Sequence, residues 1–187
     1  MSQEVSDAID GFIHRLLQKA QSDKSALLIE FDPEWPSACY LDQAGNGGNV
    51  NWQPVRQSQE NDWSDFEKAL NIIVHPSIKS FYQCYWSDNL AAQHHFGPLE
   101  LIQVWNEADF ERLQQNLIGH ILMKRRLKQS ETLFFGLTDE EDEILCVNNQ
   151  TGEVVLEQVG MEAKKVIAPN LAQFLLSIDP VIIVNSD

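Results

Sequence analysis

One long amphipathic helix followed by three short apolar runs is the pattern that most narrows the fold of this chain. The runs are "TLFFGL" (132–137), "EILCVNN" (143–149) and "EVVLEQV" (153–159). Each is too short for a stable helix and reads as a strand. "NNQTG" between the second and third is a hairpin signal. Ahead of them stands "NEADFERLQQNLIGHILMKRRLKQ". Asn106 can cap this helix, and Glu107 and Asp109 suit the positive end of its dipole. Lys124, Arg125, Arg126 and Lys128 suit the negative end. Phe110, Leu113, Leu117, Ile118, Ile121 and Leu122 predict the buried stripe. Gly119 inside the helix costs about 1 kcal/mol relative to alanine, which predicts a close packing contact there.

The remaining segments fit around that unit. Val5, Ile9, Phe12, Ile13, Leu16, Leu17 and Ala20 recur at helical spacing. "LLIEFDPEWPSACYL" predicts a meandering connection leading into a short strand, and "AGNGGNVNWQPV" a turn or loop. A helix is expected around "WSDFEKALNII", with His75-Pro76 ending it or opening the next element. "IKSFYQCYW" is aromatic-rich and reads as a strand, with room for a turn of helix before it, and "LELIQVW" as its partner with "FGPL" near the turn. "NLAQFLLSI" predicts a short helix opened by Pro169, at or just before its first turn. The fold class that follows is α+β, with helices packed on a largely antiparallel sheet. A length of 187 residues suits one domain, 1–187.

Charge narrows the partners. There are 28 acids against 13 bases, for a formal net charge of −15. Such a chain repels polyanions, so nucleic-acid binding is excluded as a primary role, and anionic lipid surfaces and direct lipid insertion are disfavoured. Cys39, Cys84 and Cys146 are odd in number and form no C-x-x-C pair. This speaks against a disulfide framework or a thiolate zinc site and for a reducing compartment. Cys84 and Cys146 read as buried structural thiols in apolar strands. The amino terminus has no apolar core of a signal peptide, and no run approaches the ~20 apolar residues that span a bilayer. A cytoplasmic location is the expectation.

No catalytic constellation emerges. The histidines are His14, His75, His94, His95 and His120, without H-E-x-x-H spacing. His94 and His95 are adjacent, and neighbours on a strand point to opposite faces. "AGNGGN" is neither a phosphate-cradling loop nor a dinucleotide fingerprint. No metal, no cofactor and no enzymatic role are expected, and His120 reads as a satisfied, partly buried side chain of the long helix. The acids, by contrast, are concentrated. Residues 25–111 hold thirteen acids against three bases, a balance of −10. "ENDWSDFE" places Glu60, Asp62 and Asp65 around Trp63 and Phe66, where aromatics can anchor a contact that the charges steer. The same spacing also suits the inward face of a short helix. "TDEEDE" (138–143) reads as a solvated turn that adds to the field.

Several stretches resemble a known family. They are "NWQPV", "HPSIKSFYQCYWSDNLAAQHHFG", "LIQVWNEADFERLQQNLIGHILMKRRLKQSETLFFG", "NNQTGEVVLEQVG" and "NLAQFLLSI". Together they resemble the Syd family of bacterial SecY-interacting proteins over most of the chain. The string W-x-E-x-D-F-x-R-x-Q-x-N-L-I-G-H, from Trp105 to His120, carries the resemblance most specifically. It implies a SUKH-like α+β fold around an antiparallel sheet and a concave electronegative surface. It also implies a non-enzymatic, peripheral protein on the cytoplasmic face of the bacterial inner membrane. Such a protein would bind SecY, the channel of the protein translocase, and monitor its assembly. Cytoplasmic loops of membrane proteins carry excess Lys and Arg, which an acidic protein suits. The expected partner-binding set is Glu60, Asp62, Trp63 and Asp65, with Asp88, Glu107 and Asp109 added from the Syd-like stretches. Helix capping is an equally good role for Glu107 and Asp109. The alternative function is a SUKH-like immunity protein that neutralises a basic toxin. A small hydrolase is a third reading, without a motif to support it.

Overall fold

The computed structural model describes residues 2–24, 26–59, 61–163 and 165–183. Among these the helices are α1 (Ser2–Asp23), α2 (Ser64–Leu70), α3 (Pro76–Cys84), α4 (Glu107–Arg126) and α5 (Leu171–Leu176). The strands are β1 (Leu28–Glu30), β2 (Asn49–Asn51), β3 (Val55–Arg56), β4 (Tyr85–Trp86), β5 (Leu90–His94), β6 (Gly97–Leu101), β7 (Thr132–Thr138), β8 (Glu143–Asn148), β9 (Val154–Gln158), β10 (Lys165–Ala168) and β11 (Asp179–Pro180). Seven strands form one antiparallel sheet in the order β10-β9-β8-β7-β6-β5-β11. Two small pairs, β1 with β2 and β3 with β4, lie outside it. The fold is α+β, as the succession of elements predicts.

The period-2 alternation of β7 sorts the helices onto two faces. Phe135 meets Phe81 of α3 and Phe174 of α5, with ring centroids 5.7 and 5.5 Å away. Phe134, one residue earlier, turns to the opposite face and takes the edge of His120 on α4 at 5.6 Å. α1 packs over α3 and α5 with Val5, Ala8, Ile9, Phe12, Ile13 and Leu16 buried. The hairpin between β8 and β9 turns through Gly152, whose φ is +77°. A Cβ there would lie 2.5 Å from His75 Nε2, so the turn excludes a side chain on two counts.

Four expectations need correction. "IKSFYQCYW" is not a strand: Pro76–Cys84 is α3, and only Tyr85–Trp86 is extended. His75 caps it by accepting the Ser77 N–H at Nδ1, and Pro76 opens it. Ile78, Phe81 and Tyr82 are then one buried face at helical spacing. The partner of β6 is therefore β5, with His95 and Phe96 in the turn. Cys84 ends a helix, not a strand, although it is buried as expected. On α4 the stripe runs through His120 and Lys124, while Leu122 is exposed. Pro169 stands just before the last helix, as expected, and Asn170 caps it.

Gly119 is the fourth. A Cβ built there meets nothing within 4 Å, so no packing contact requires a glycine. Gly119→Ala should therefore stabilise the protein by up to about 1 kcal/mol. A thermal melt reads this directly, and a lower midpoint in the variant would contradict it.

Candidate partner-binding groove

The N-terminal turns of α2 and α4 face one groove of about 540 Å³. The chain enters α2 through Asp62, whose carboxylate accepts the Ser64 N–H at 2.7 Å and the Ser64 hydroxyl at 3.0 Å. These bonds hold the Asp62 carboxyl below its usual pKa, the backbone donor contributing most. α4 begins with a reciprocal cap. Asn106 Oδ1 accepts the Asp109 N–H at 2.9 Å, and Asp109 Oδ2 accepts the Trp105 N–H at 2.8 Å. Gln114, two turns on, donates to the Asp62 carbonyl at 2.9 Å and ties the two helix starts together.

Asp62, Asp65, Glu107 and Glu111 line the groove. All four are exposed. Among the described residues no Lys or Arg lines it. Nearby bases are already held: Lys79 by Glu67 at 2.6 Å, and Arg112 by Asp109 at 2.6 Å. The two helix N-termini carry about half a positive charge each, so about three negative charges remain uncompensated.

The expected residues therefore divide. Asp62, Asp65 and Glu107 come together on the groove. Trp63 does not reach the surface. It is 3% exposed and packs edge-on against Phe66 and Phe110, with centroids 5.4 and 5.1 Å away. Its role is to set α2 against α4. Asp109 is engaged in the cap and with Arg112, which is the alternative role anticipated for it. Asp88 is an exposed residue, but its carboxyl stands in a separate concavity with Asn89, Gln103 and Asp109. Loss of water there, with Glu100 and Asp109 adding repulsion, pushes its pKa up. Glu60 lies outside the described residues. Glu111 was not anticipated, although it sits four residues after Glu107 on the same helical face. The acids 139–142 form the exposed turn between β7 and β8 and do not line the groove.

A second polar cluster lies between α4 and the sheet, inside the protein. Lys124 and Glu157 are both 0% exposed, with Nζ 3.1 Å from Oε2. Thr132 donates to the same oxygen at 3.0 Å, and Lys124 also donates to the Met161 carbonyl at 3.2 Å. His120 Nε2 lies 2.9 Å from Thr132 Oγ1 and 3.3 Å from Glu157 Oε1. With the Thr132 proton given to Glu157, these distances suit an Nε2–H imidazole. The donor atoms of His120, Cys146 and Glu157 all lie within 4.8 Å of one another, a grouping that metal ions use. A divalent cation there would have to compete with the Lys124 ammonium that already neutralises Glu157. His94 is buried and His95 exposed, yet their ring centroids are 4.0 Å apart, closer than opposed strand positions would allow.

Burial lowers the pKa of His120; Glu157 works against the shift and Lys124 with it. Burial lowers His75 and His94 as well. The unfolded chain, with imidazoles near the ordinary value of about 6.5, then binds more protons than the folded one. Stability should be full above that value and fall as pH drops from about 7 towards 5. His120→Gln should remove up to about 1.4 kcal/mol per pH unit of that slope. Urea unfolding at several pH values checks this, and an unchanged slope in the variant would contradict it.

Fold and groove define the class: a small α+β protein with helices on both faces of an antiparallel sheet and a carboxylate-lined groove at two helix starts. Residues 6–180 match the family described as Syd protein (SUKH-2). "Protein Syd" of Pseudoalteromonas atlantica is 48% identical over 182 residues, covering 96% of this chain and 98% of the relative. "Protein Syd" of Alteromonas mediterranea is 48% identical over 180 residues, with the same two shares. "Protein Syd" of Colwellia psychrerythraea is 43% identical over 156 residues, 79% of this chain and 78% of the relative. The chain belongs to the Syd family. No helix among the described residues is long and apolar enough to cross a membrane.

Proposed function

We propose that this protein is a non-enzymatic binding protein whose groove receives basic cytoplasmic loops of the SecY channel. It would act peripherally at the cytoplasmic face of the bacterial inner membrane and monitor or regulate channel assembly. The observation that carries the reading is the set of four carboxylates on one groove without a lining base among the described residues. Membrane proteins concentrate Lys and Arg in their cytoplasmic loops. Complementary charge raises the association rate and selects the partner. The same carboxylates repel anionic headgroups, so docking is directed to protein loops. Membership of the Syd family favours this reading over an immunity role.

The test is binding to detergent-solubilised SecY at several ionic strengths. Exposed charges are screened over about 8 Å at physiological salt, so the association rate should fall steeply as salt rises. A rate and affinity that hold constant from low to high salt would overturn the electrostatic groove. Capture from solubilised membranes without any translocase component would overturn the partner.

A further inference from the structure

The carboxylate groove continues into a second concavity of about 520 Å³ with different walls. Both share Trp86 and Glu107. The second is lined by Trp35, Trp86 and Trp105, together with Pro36, and by the exposed carboxylates Glu34 and Glu107. Trp105 is buried, whereas Trp35 and Trp86 are half-buried. The 34–38 segment is pinned to the start of α4. Trp105 Nε1–H donates to the Trp35 carbonyl at 3.3 Å, and the Ser37 hydroxyl donates to the Trp105 carbonyl at 2.7 Å. Asn106 Nδ2 donates to the Pro36 carbonyl at 2.8 Å. The slot is therefore formed before any ligand arrives.

Its chemistry selects a cation with a flat face. Indole rings attract positive charge to their faces. A neutral apolar group would satisfy the indoles but desolvate two carboxylates without compensation. An ammonium is a compact, strongly hydrated point charge, whereas a guanidinium is planar, weakly hydrated, and can stack on a ring while its N–H groups meet a carboxylate. This surface already makes such a contact: the Arg112 guanidinium carbon lies 5.5 Å from the Trp35 ring centroid. We propose that the slot is an arginine-binding subsite. The guanidinium of a partner arginine lies against Trp35 and Trp86 and pairs with Glu34 or Glu107, while neighbouring basic residues occupy the carboxylate groove. The proposal rests on the reading of that groove as the seat of a basic segment.

Two blocked decapeptides in a Gly/Ser background test it, one with three arginines and one with three lysines at identical positions. Their affinities are measured by calorimetry at low salt. The arginine peptide should bind about threefold to tenfold more tightly, the range of a cation–π contact. The ratio of the two affinities should fall to about one in Trp35→Leu and in Trp86→Leu, with folding of each variant checked by thermal melt. Two variants on separate segments keep the test intact if one of them misfolds. Equal affinities for wild type, or a preference that survives in the folded variants, would overturn the subsite and leave the groove reading standing. Binding of neither peptide would overturn both.

Discussion

Lys124→Met is expected to cost about 3–5 kcal/mol of folding stability, the penalty for leaving a buried carboxylate without its counter-charge. Lys124 and Glu157 are both closed off from solvent, and the pair bridges α4 to β9. Removing the ammonium would leave Glu157 with the Thr132 hydroxyl, the His120 ring and the Cys146 thiol as uncharged neighbours for its oxygens. Glu157→Leu should cost a comparable amount, because Lys124 would keep only the Met161 carbonyl. The double variant Lys124→Met/Glu157→Leu should lose much less than the two singles added together. An apolar pair of similar volume often replaces a buried ion pair at little cost, and Thr132 and His120 would still hold one another at 2.9 Å. Urea unfolding of the four proteins measures the coupling. Single variants within about 1 kcal/mol of wild type would mean that water reaches the pair, since solvated bridges are worth no more than that. An additive double variant would mean that the two charges do not depend on each other.

This pair marks a boundary of what sequence patterns reveal, and the signal for it was present. Lys124 follows Leu117, His120 and Ile121 at helical spacing, so it lies on the apolar stripe of α4. Glu157 follows Val155 at strand spacing on one face of β9. Residue type alone favours solvent for both charges, whereas their phase points inward. The reverse happened at α3. Its aromatic and apolar residues suit a strand by propensity, but a proline after a capping histidine decides for a helix, and burial against β7 rewards that choice. The long helix and β7 to β9 were legible because each has one strong period and clear punctuation. β10 and β11 were not: they are four and two residues long and lie at the two edges of the sheet. Pro180 in β11 also blunts its edge. For the groove, local signals pointed to Asp62 and Asp65, and the family resemblance to Glu107. What spacing along the chain could not give is that α2 and α4 start side by side, because that rests on Trp63 packing against Phe110 and on the Gln114 bond to Asp62.

That geometry chooses the residues for the decisive binding test. Asp62 holds the Ser64 N–H at the start of α2 and Asp109 holds the Trp105 N–H ahead of α4, so reversing either would confuse lost stability with lost binding. Asp65 and Glu111 are exposed groove acids on the two different helices, and neither makes a cap. Asp65→Lys/Glu111→Lys should weaken the proposed binding to SecY by about a hundredfold or more, because like charges brought together at an interface cost several kcal/mol. The melting temperature should hold within a few degrees, as expected for surface substitutions away from packed groups. Glu140→Lys/Glu141→Lys changes the formal charge by the same amount but lies in the exposed turn between β7 and β8, outside the groove. It should change the affinity by only a few-fold, through the long-range field that salt screens. Equal losses in the two variants would mean that bulk charge and not the groove drives association. A loss confined to the turn variant would move the binding site to that end of the sheet.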